Sequence, residues 1–127
     1  MIRNWLREIK WFIQRGRRGW ADCDTWSFNN YLTGIIVGGL KRLKEDHHGC
    51  PGDLWDKKAV NDECHKWREI LDEMIQGFEA YLAYSDNIFY KRCIFEKEID
   101  LKQIENLREK YKRGMALFAE WFLSLWD

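Results

Sequence analysis

The chain has little proline, no paired cysteines and no long apolar run. Pro51 is its only proline, and its four cysteines lie far apart without C-x-x-C spacing. Dispersed cysteines in a domain of this size indicate reduced thiols rather than a disulfide framework. Charged residues interrupt the apolar residues near the N-terminus, so we expect neither a signal peptide nor a membrane span. These absences predict a cytoplasmic protein without membrane contact.

An excess of charge of either sign is also absent, because 21 basic residues balance 21 acidic ones. The charge is unevenly distributed, however. Residues 1–20 contain six Lys and Arg against one acid, while the rest of the chain contains 15 basic and 20 acidic residues. The chain therefore lacks the overall basicity of a duplex nucleic-acid binder. Its basic N-terminus can attract an anion locally or dock on an acidic surface.

Aromatic residues are abundant. They make up 16% of the chain and include eight tryptophans, and hydrophobic residues reach 46% of 127 residues. This composition suits a single soluble domain, residues 1–127, with a core built largely from planar side chains.

Four stretches place apolar residues at helical spacing. In order along the chain they are Ile2 to Ile13, about Thr25 to Glu45, Asn61 or Asp62 to about Tyr84, and about Asp100 to Trp126. No stretch requires a central sheet, and for residues 85–99 we favour helix and irregular loop over a β-hairpin. The sequence therefore predicts an all-α fold, a compact bundle of about four main helices with irregular loops.

Glycines interrupt these helices. Gly34, Gly38 and Gly39 lie inside the second helix, each costing about 1 kcal/mol relative to Ala, which indicates close approach of another backbone or a ligand. Gly114 is expected to loosen the last helix. We expect the apolar face of the first helix to dock on the core rather than on a membrane surface.

The densest cluster of functional groups is a W-x-D-x-D-x-W block at residues 20–26, directly after the basic run at residues 15–19. Guanidinium groups fit phosphate oxygens, tryptophan rings stack on bases, and carboxylates accept from ribose or base donors. The block predicts a site for a small anionic or nucleotide-like ligand. The candidate ligand-binding residues are Arg15, Arg17, Arg18, Trp20, Asp22, Asp24, Trp26, Asn30 and His48.

A structural interpretation of the same residues competes with this prediction. Residues 16–24 are expected to form a loop, in which Asp22 or Asp24 caps the following helix through backbone N–H groups. In that interpretation Trp20 and Trp26 belong to the core, and the arginines pair with acidic side chains.

Metal binding and catalysis find less support in the sequence. The potential zinc ligands, His47, His48, Cys50, Cys64 and His65, lack the close pairing of structural zinc sites, so we predict no metal and no cofactor. A hydrolase could use His48 with Asp22 or Asp24. Because no G-x-S-x-G, H-E-x-x-H or P-loop is present, a non-catalytic protein is favoured.

Four segments resemble a family of small, mostly uncharacterised proteins of tailed bacteriophages and prophages. They are R-G-W-A-D-C-D-T-W-S-F-N-N-Y-L at residues 18–32, H-G-C-P at 48–51, W-R-E-I-L-D-E-M-I-Q-G-F-E at 67–79 and G-M-A-L-F-A-E-W-F-L-S-L-W-D at 114–127. The chain departs from its relatives at Asn29, often Asp, and at Cys50, often aromatic. The resemblance implies a protein that acts in the cytoplasm of a bacterial host, in conflict with the host's defences.

Combined with the block, this resemblance leads to a functional hypothesis. The chain is predicted to be a sponge that sequesters a phosphorylated or nucleotide-like immune signal without turnover. A helical protein of this length has little room for a deep pocket of its own, so we predict a homo-oligomer with a site between protomers. The first alternative is an inhibitor that blocks a host protein with an aromatic surface, and the second is the small hydrolase.

Overall fold

The computed structural model describes residues 2–46, 49–54, 64–86 and 100–126. In these ranges the chain forms helices and no strand. The α-helices are α1 (Ile2–Arg18), α2 (Phe28–Asp46), α3 (His65–Asp86) and α4 (Leu101–Glu120). The 3₁₀ helices are Asp22–Ser27, Gly52–Leu54 and Phe122–Ser124. The predicted all-α class with four main helices is confirmed.

The chain divides into two compact units, residues 1–34 and residues 35–127. The first contains α1, the Asp22–Ser27 3₁₀ helix and the start of α2. The second contains the rest of α2 with α3 and α4. The prediction of one domain over residues 1–127 stays a prediction.

In the first unit, α1 is longer than expected. It continues through Gly16 and ends at Arg18, where Gly19 turns the backbone with a φ of +83°. The amide of Gly19 donates to the Arg15 carbonyl at 2.9 Å, which closes the last turn in the manner of a glycine C-cap. The predicted loop at 16–24 was therefore wrong at both ends, because a 3₁₀ helix already begins at Asp22.

The apolar side of α1 is exposed rather than buried. No residue of α1 is buried, and both Ile2 and Phe12 are 77% exposed. Within the first unit this face is therefore uncovered, and its expected docking on the core stays a prediction. We call the face the apolar stripe, and its members are Ile2, Trp5, Leu6, Ile9, Phe12 and Ile13.

In the second unit, the apolar face of α3 forms the centre of the core. Trp67, Leu71 and Met74 are fully buried, and Phe78 is nearly so. Aromatic rings join α3 to the C-terminal part of the chain: Trp67 meets Trp121 with ring centroids 5.7 Å apart, and Phe78 meets Phe118 at 5.3 Å. Edge-to-face contacts of this kind add to the stabilisation that burial provides.

The helices α3 and α4 cross at two glycines. A Cβ atom on Gly77 would lie 2.5 Å from the Cα of Gly114, and one on Gly114 would lie 2.6 Å from the Cα of Gly77. Gly114 therefore allows close packing, and the expectation that it loosens its helix was wrong. No backbone approaches Gly34, Gly38 or Gly39 closely, because added Cβ atoms there would meet nothing within 4 Å, so that part of the expectation was wrong.

The helix α4 begins at a capping aspartate. The carboxylate of Asp100 accepts from the amides of Lys102 and Gln103 at 3.0 and 3.2 Å. The helix ends at Glu120, six residues earlier than predicted, and a 3₁₀ turn follows. The predicted cap at Asn61 or Asp62 and most of the 85–99 segment lie outside the described residues. Of the helices described, none is both long enough and apolar enough to cross a membrane.

Candidate functional site

The centre of the block is an ion pair between Arg15 and Asp24. Arg15 donates to both carboxylate oxygens, from Nε at 2.9 Å and from Nη2 at 2.5 Å. The amide of Ala21 donates to the same carboxylate at 2.8 Å. Asp24 is only 8% exposed, so this charge is satisfied by a guanidinium fork and one backbone amide.

These contacts change the acidity of Asp24. The hydrogen bonds from Arg15 are the main cause that lowers its pKa to about 2, and the Ala21 amide adds to the effect while desolvation opposes it. The same pair raises the pKa of Arg15. Asp24 is the third residue of the 3₁₀ helix, and its carboxylate accepts from the amide of the N-cap residue, Ala21. The helix α2, for which a cap was predicted, begins later at Phe28.

Asp22 is held by a second set of contacts with α1. Gln14 donates from Nε2 to its carboxylate at 2.7 Å and accepts from the Asp22 amide at 3.0 Å. Arg18 pairs with the other carboxylate oxygen, and Lys10 lies 3.7 Å away. The hydrogen bond from Gln14, followed by that from Arg18, lowers the pKa of Asp22.

The two tryptophans of the block also contact α1. The guanidinium carbon of Arg18 lies 3.8 Å from the ring centroid of Trp20, and its Nε donates to the Trp20 carbonyl at 3.0 Å. Trp26 meets Trp11 edge to face at 6.0 Å but is still 79% exposed. One face of Trp20 is therefore covered by Arg18, and neither ring belongs to the buried core.

Three predicted site residues do not join this cluster. Arg17 is exposed and makes no ion pair with the described residues. Asn30, on α2, has an Oδ1 atom without a hydrogen-bond partner in the described part of the chain. His48 lies outside the described residues. The structure thus brings together Arg15, Arg18, Trp20, Asp22, Asp24 and Trp26.

The contacts occupy one side of α1. Gln14, Arg15, Arg18 and Trp11 lie on a common face by the 100° rotation between successive helical residues, and the apolar stripe lies on the opposite face. The block therefore contacts the polar side of the C-terminal half of α1 and not its apolar side. Two of the three arginines that were predicted to bind phosphate, Arg15 and Arg18, pair with aspartates of the same unit.

An open groove of about 630 Å³ runs along α1 beside the stripe. Leu6, Ile9 and Ile13 provide its apolar surface. Among the residues that the structure describes, the polar and cationic side chains that also line it are Lys10, Gln14, Arg17 and Arg18. The groove combines apolar area with positive charge on one helix.

Sequence reasoning missed two residues that stabilise this arrangement. Gln14 contacts Asp22 through two hydrogen bonds across eight residues, and no local pattern marks such a pairing. Tyr31 donates from its hydroxyl to the Gly19 carbonyl at 2.5 Å, which ties α2 to the turn after α1.

Among the described residues, no group of three His, Cys, Asp or Glu side chains is arranged to hold a metal ion. Comparison of the chain with protein-family models, curated proteins and solved structures found no match.

Proposed function

We propose that this chain is a non-catalytic interaction protein that binds a partner protein along the apolar stripe of α1. The supporting observation is the exposure of five of the six stripe residues, while the opposite face of the same helix contacts Asp22, Asp24 and Trp26. Exposed apolar surface of this extent on one helix face is typical of sites that bind another macromolecule. The spacing of its residues matches recognition by an amphipathic helix that inserts into a groove or packs on another helix.

The nucleotide sponge is less well supported by the contacts of the block. Phosphate binding needs guanidinium donors, and two of the three candidates, Arg15 and Arg18, are engaged by Asp24 and Asp22. At these two arginines a phosphate would have to displace a bound carboxylate and leave it close to the anion. Only Arg17 makes no ion pair with the described residues. Base stacking on Trp20 would also compete with the Arg18 guanidinium that covers one face of its ring.

The hydrolase is less well supported because the carboxylates that would orient His48 already have other partners. Asp24 accepts from Arg15 and the Ala21 amide, and Asp22 accepts from Gln14 and pairs with Arg18. Both also serve as hydrogen-bond acceptors for α1, a role that does not involve a substrate.

The resemblance to bacteriophage proteins gives the proposed partner a source. A small phage protein with an exposed apolar helix would bind a protein of the bacterial host and block or recruit it. This proposal retains the inhibitor alternative and assigns the binding surface to the apolar stripe.

Two variants with the same new carboxylate test the proposal. Leu6→Asp places a charge in the apolar stripe, whereas Asn4→Asp places it two residues away on the nearly opposite face. Each would be compared with the unaltered chain in affinity capture from a bacterial lysate. The recovered protein would then be purified and its binding measured by titration calorimetry.

The expected result is a defined one-to-one affinity that Leu6→Asp lowers by at least tenfold and Asn4→Asp leaves unchanged, since a charge buried in an apolar contact is strongly unfavourable. Equal binding by both variants would exclude the stripe as the binding surface. A large fall in melting temperature for Leu6→Asp alone would place the stripe inside the protein's own core. Calorimetry against cyclic nucleotides completes the test, because tight binding there would favour the sponge.

A further inference from the structure

The two edges of the apolar stripe carry different charges. On one edge, Arg3, Lys10 and Arg17 follow one another at intervals of seven residues, which places them in a row along the helix. On the other edge stand Glu8 and Arg15, and Arg15 is already paired with Asp24. Lys10 lies 3.7 Å from the carboxylate of Asp22 but its side chain is 65% exposed, and Arg3 and Arg17 make no ion pair with the described residues. The positive charge that a partner can meet is therefore concentrated along one side of the stripe.

The stripe itself repeats with the same period. Ile2 is followed by Ile9, Trp5 by Phe12, and Leu6 by Ile13, each pair seven residues apart. Three apolar positions per heptad are the pattern of a helix that packs on another helix, and the residues beside such a seam select the partner through charge. The apolar stripe and the row of cations therefore repeat with the same seven-residue period along α1.

We infer that the partner of α1 presents an amphipathic helix whose apolar face packs on the stripe and whose acidic residues face Arg3, Lys10 and Arg17. This inference rests on the proposed function and adds the chemistry of the partner. The groove beside the stripe supports it, because Lys10 and Arg17 line that groove together with Leu6, Ile9 and Ile13. An acidic side chain flanking a bound apolar helix would lie within reach of both cations.

The asymmetry of the edges disfavours a lipid surface as the occupant. A helix lying in a membrane interface meets lipid headgroups along both of its edges, and anionic lipids attract cations on each. Here the second edge carries Glu8 and a neutralised Arg15. A one-sided row of cations fits a partner whose charges also lie on one side.

A second copy of the chain is disfavoured by the same charges. Two α1 helices packed antiparallel through their stripes would bring their cation rows together, which is repulsive. Packed parallel, each row of three cations would meet a single carboxylate, that of Glu8. The electrostatics of α1 therefore favours a different protein over self-association through this face.

The test uses two synthetic helical peptides of the same length as α1, both labelled with fluorescein. They share leucine and isoleucine at the seam positions and differ only at the flanking row, which is Glu in one peptide and Lys in the other. Binding to the full chain would be measured by fluorescence anisotropy between about 50 and 500 mM NaCl, a range over which exposed charges become screened. The double variant Lys10→Glu/Arg17→Glu reverses part of the row.

We expect the Glu peptide to bind about tenfold more tightly than the Lys peptide at low salt, since several exposed ion pairs contribute together. The difference should shrink at high salt, and the preference should reverse in the double variant. Asn4→Asp should leave the preference unchanged.

Equal affinity for both peptides would overturn the acidic partner while leaving the proposed stripe intact. Failure of both peptides to bind, alongside a captured host protein that needs Leu6, would do the same. If no protein is found whose binding depends on Leu6, the proposed function itself would be overturned. Vesicles of phosphatidylglycerol that bind more tightly than the Glu peptide, or an α1-dependent dimer in sedimentation, would assign the face to lipid or to a second copy.

Discussion

Arg15 and Asp24 form a two-point contact in which one guanidinium binds both oxygens of one carboxylate. The contact joins the last turn of α1 to the 3₁₀ helix that follows it. Because Asp24 is nearly buried, its charge depends on this partner. The pair therefore fixes the path of the chain as it leaves α1.

Replacement of Arg15 by lysine should weaken this junction although the charge is kept. Lysine offers a point charge on a flexible stem and cannot reproduce the planar fork. We expect Arg15→Lys to lower the melting temperature by several degrees, as measured by circular dichroism at 222 nm. The matched control is Arg17→Lys, two residues away, which should have no effect; an equal loss in both variants would contradict the importance of the pair.

The ion pair of Asp24 should make the stability of the protein depend on pH in the acidic range. Its folded pKa of about 2 lies below the ordinary value of 3.8, so the unfolded chain takes up the proton first as the pH falls. The stabilisation by this carboxylate is fully present above about pH 4 and is lost as the pH falls through 2. Urea denaturation between pH 5 and pH 2 should therefore show a steeper loss for the unaltered chain than for Asp24→Asn. Parallel curves would show that Asp24 is not paired in solution.

Alanine at either glycine of the α3–α4 crossing should destabilise the protein. The added Cβ would lie within 2.6 Å of a backbone atom of the other helix, so the helices must move apart. Overpacking of this kind costs about 1–3 kcal/mol or more. Gly38→Ala in α2 is the control, because its Cβ would meet nothing within 4 Å and should stabilise the helix by up to about 1 kcal/mol. Denaturant unfolding of Gly77→Ala, Gly114→Ala and Gly38→Ala would measure the expected decrease in the free energy of unfolding for the first two variants and the expected increase for the third.

The cap of α4 can be tested in the same way. Asp100→Ala removes the acceptor for two backbone amides and should cost about 1 kcal/mol. Asp100→Ser keeps an oxygen in place and should recover most of that loss. If serine and alanine prove equally destabilising, the side chain does not cap the helix.

The helical class could be predicted from the sequence because apolar residues at helical spacing dominate each long segment. The buried face of α3 illustrates this, since Trp67, Leu71, Met74 and Phe78 stand three or four residues apart. The ends of the helices were harder to place. A glycine at position 16 is compatible either with the end of a helix or with its continuation. In the structure α1 continues to Arg18, and its last turns contact Asp22 and Asp24, which lie beyond the end of the helix.

The crossing glycines show another limit. In the sequence, nothing distinguishes Gly77 and Gly114 from Gly34 or Gly38. Their importance depends on which two helices pack together and on where along each helix they cross. The block shows a third limit. Arginine, aspartate and tryptophan are the residues of a phosphate site and equally of an internal ion-pair network, and only their distances favour the second interpretation.

Asp22 and Asp24 also reduce the attraction of the N-terminal unit to polyanions. Residues 2–27 contain six cations, and the two aspartates together with Glu8 cancel half of that charge. Without them, α1 would be a polycation with an apolar face, a combination that adheres to RNA and other polyanions with little selectivity. The paired aspartates thus restrict indiscriminate electrostatic attraction and leave recognition to the side of α1 that they do not touch.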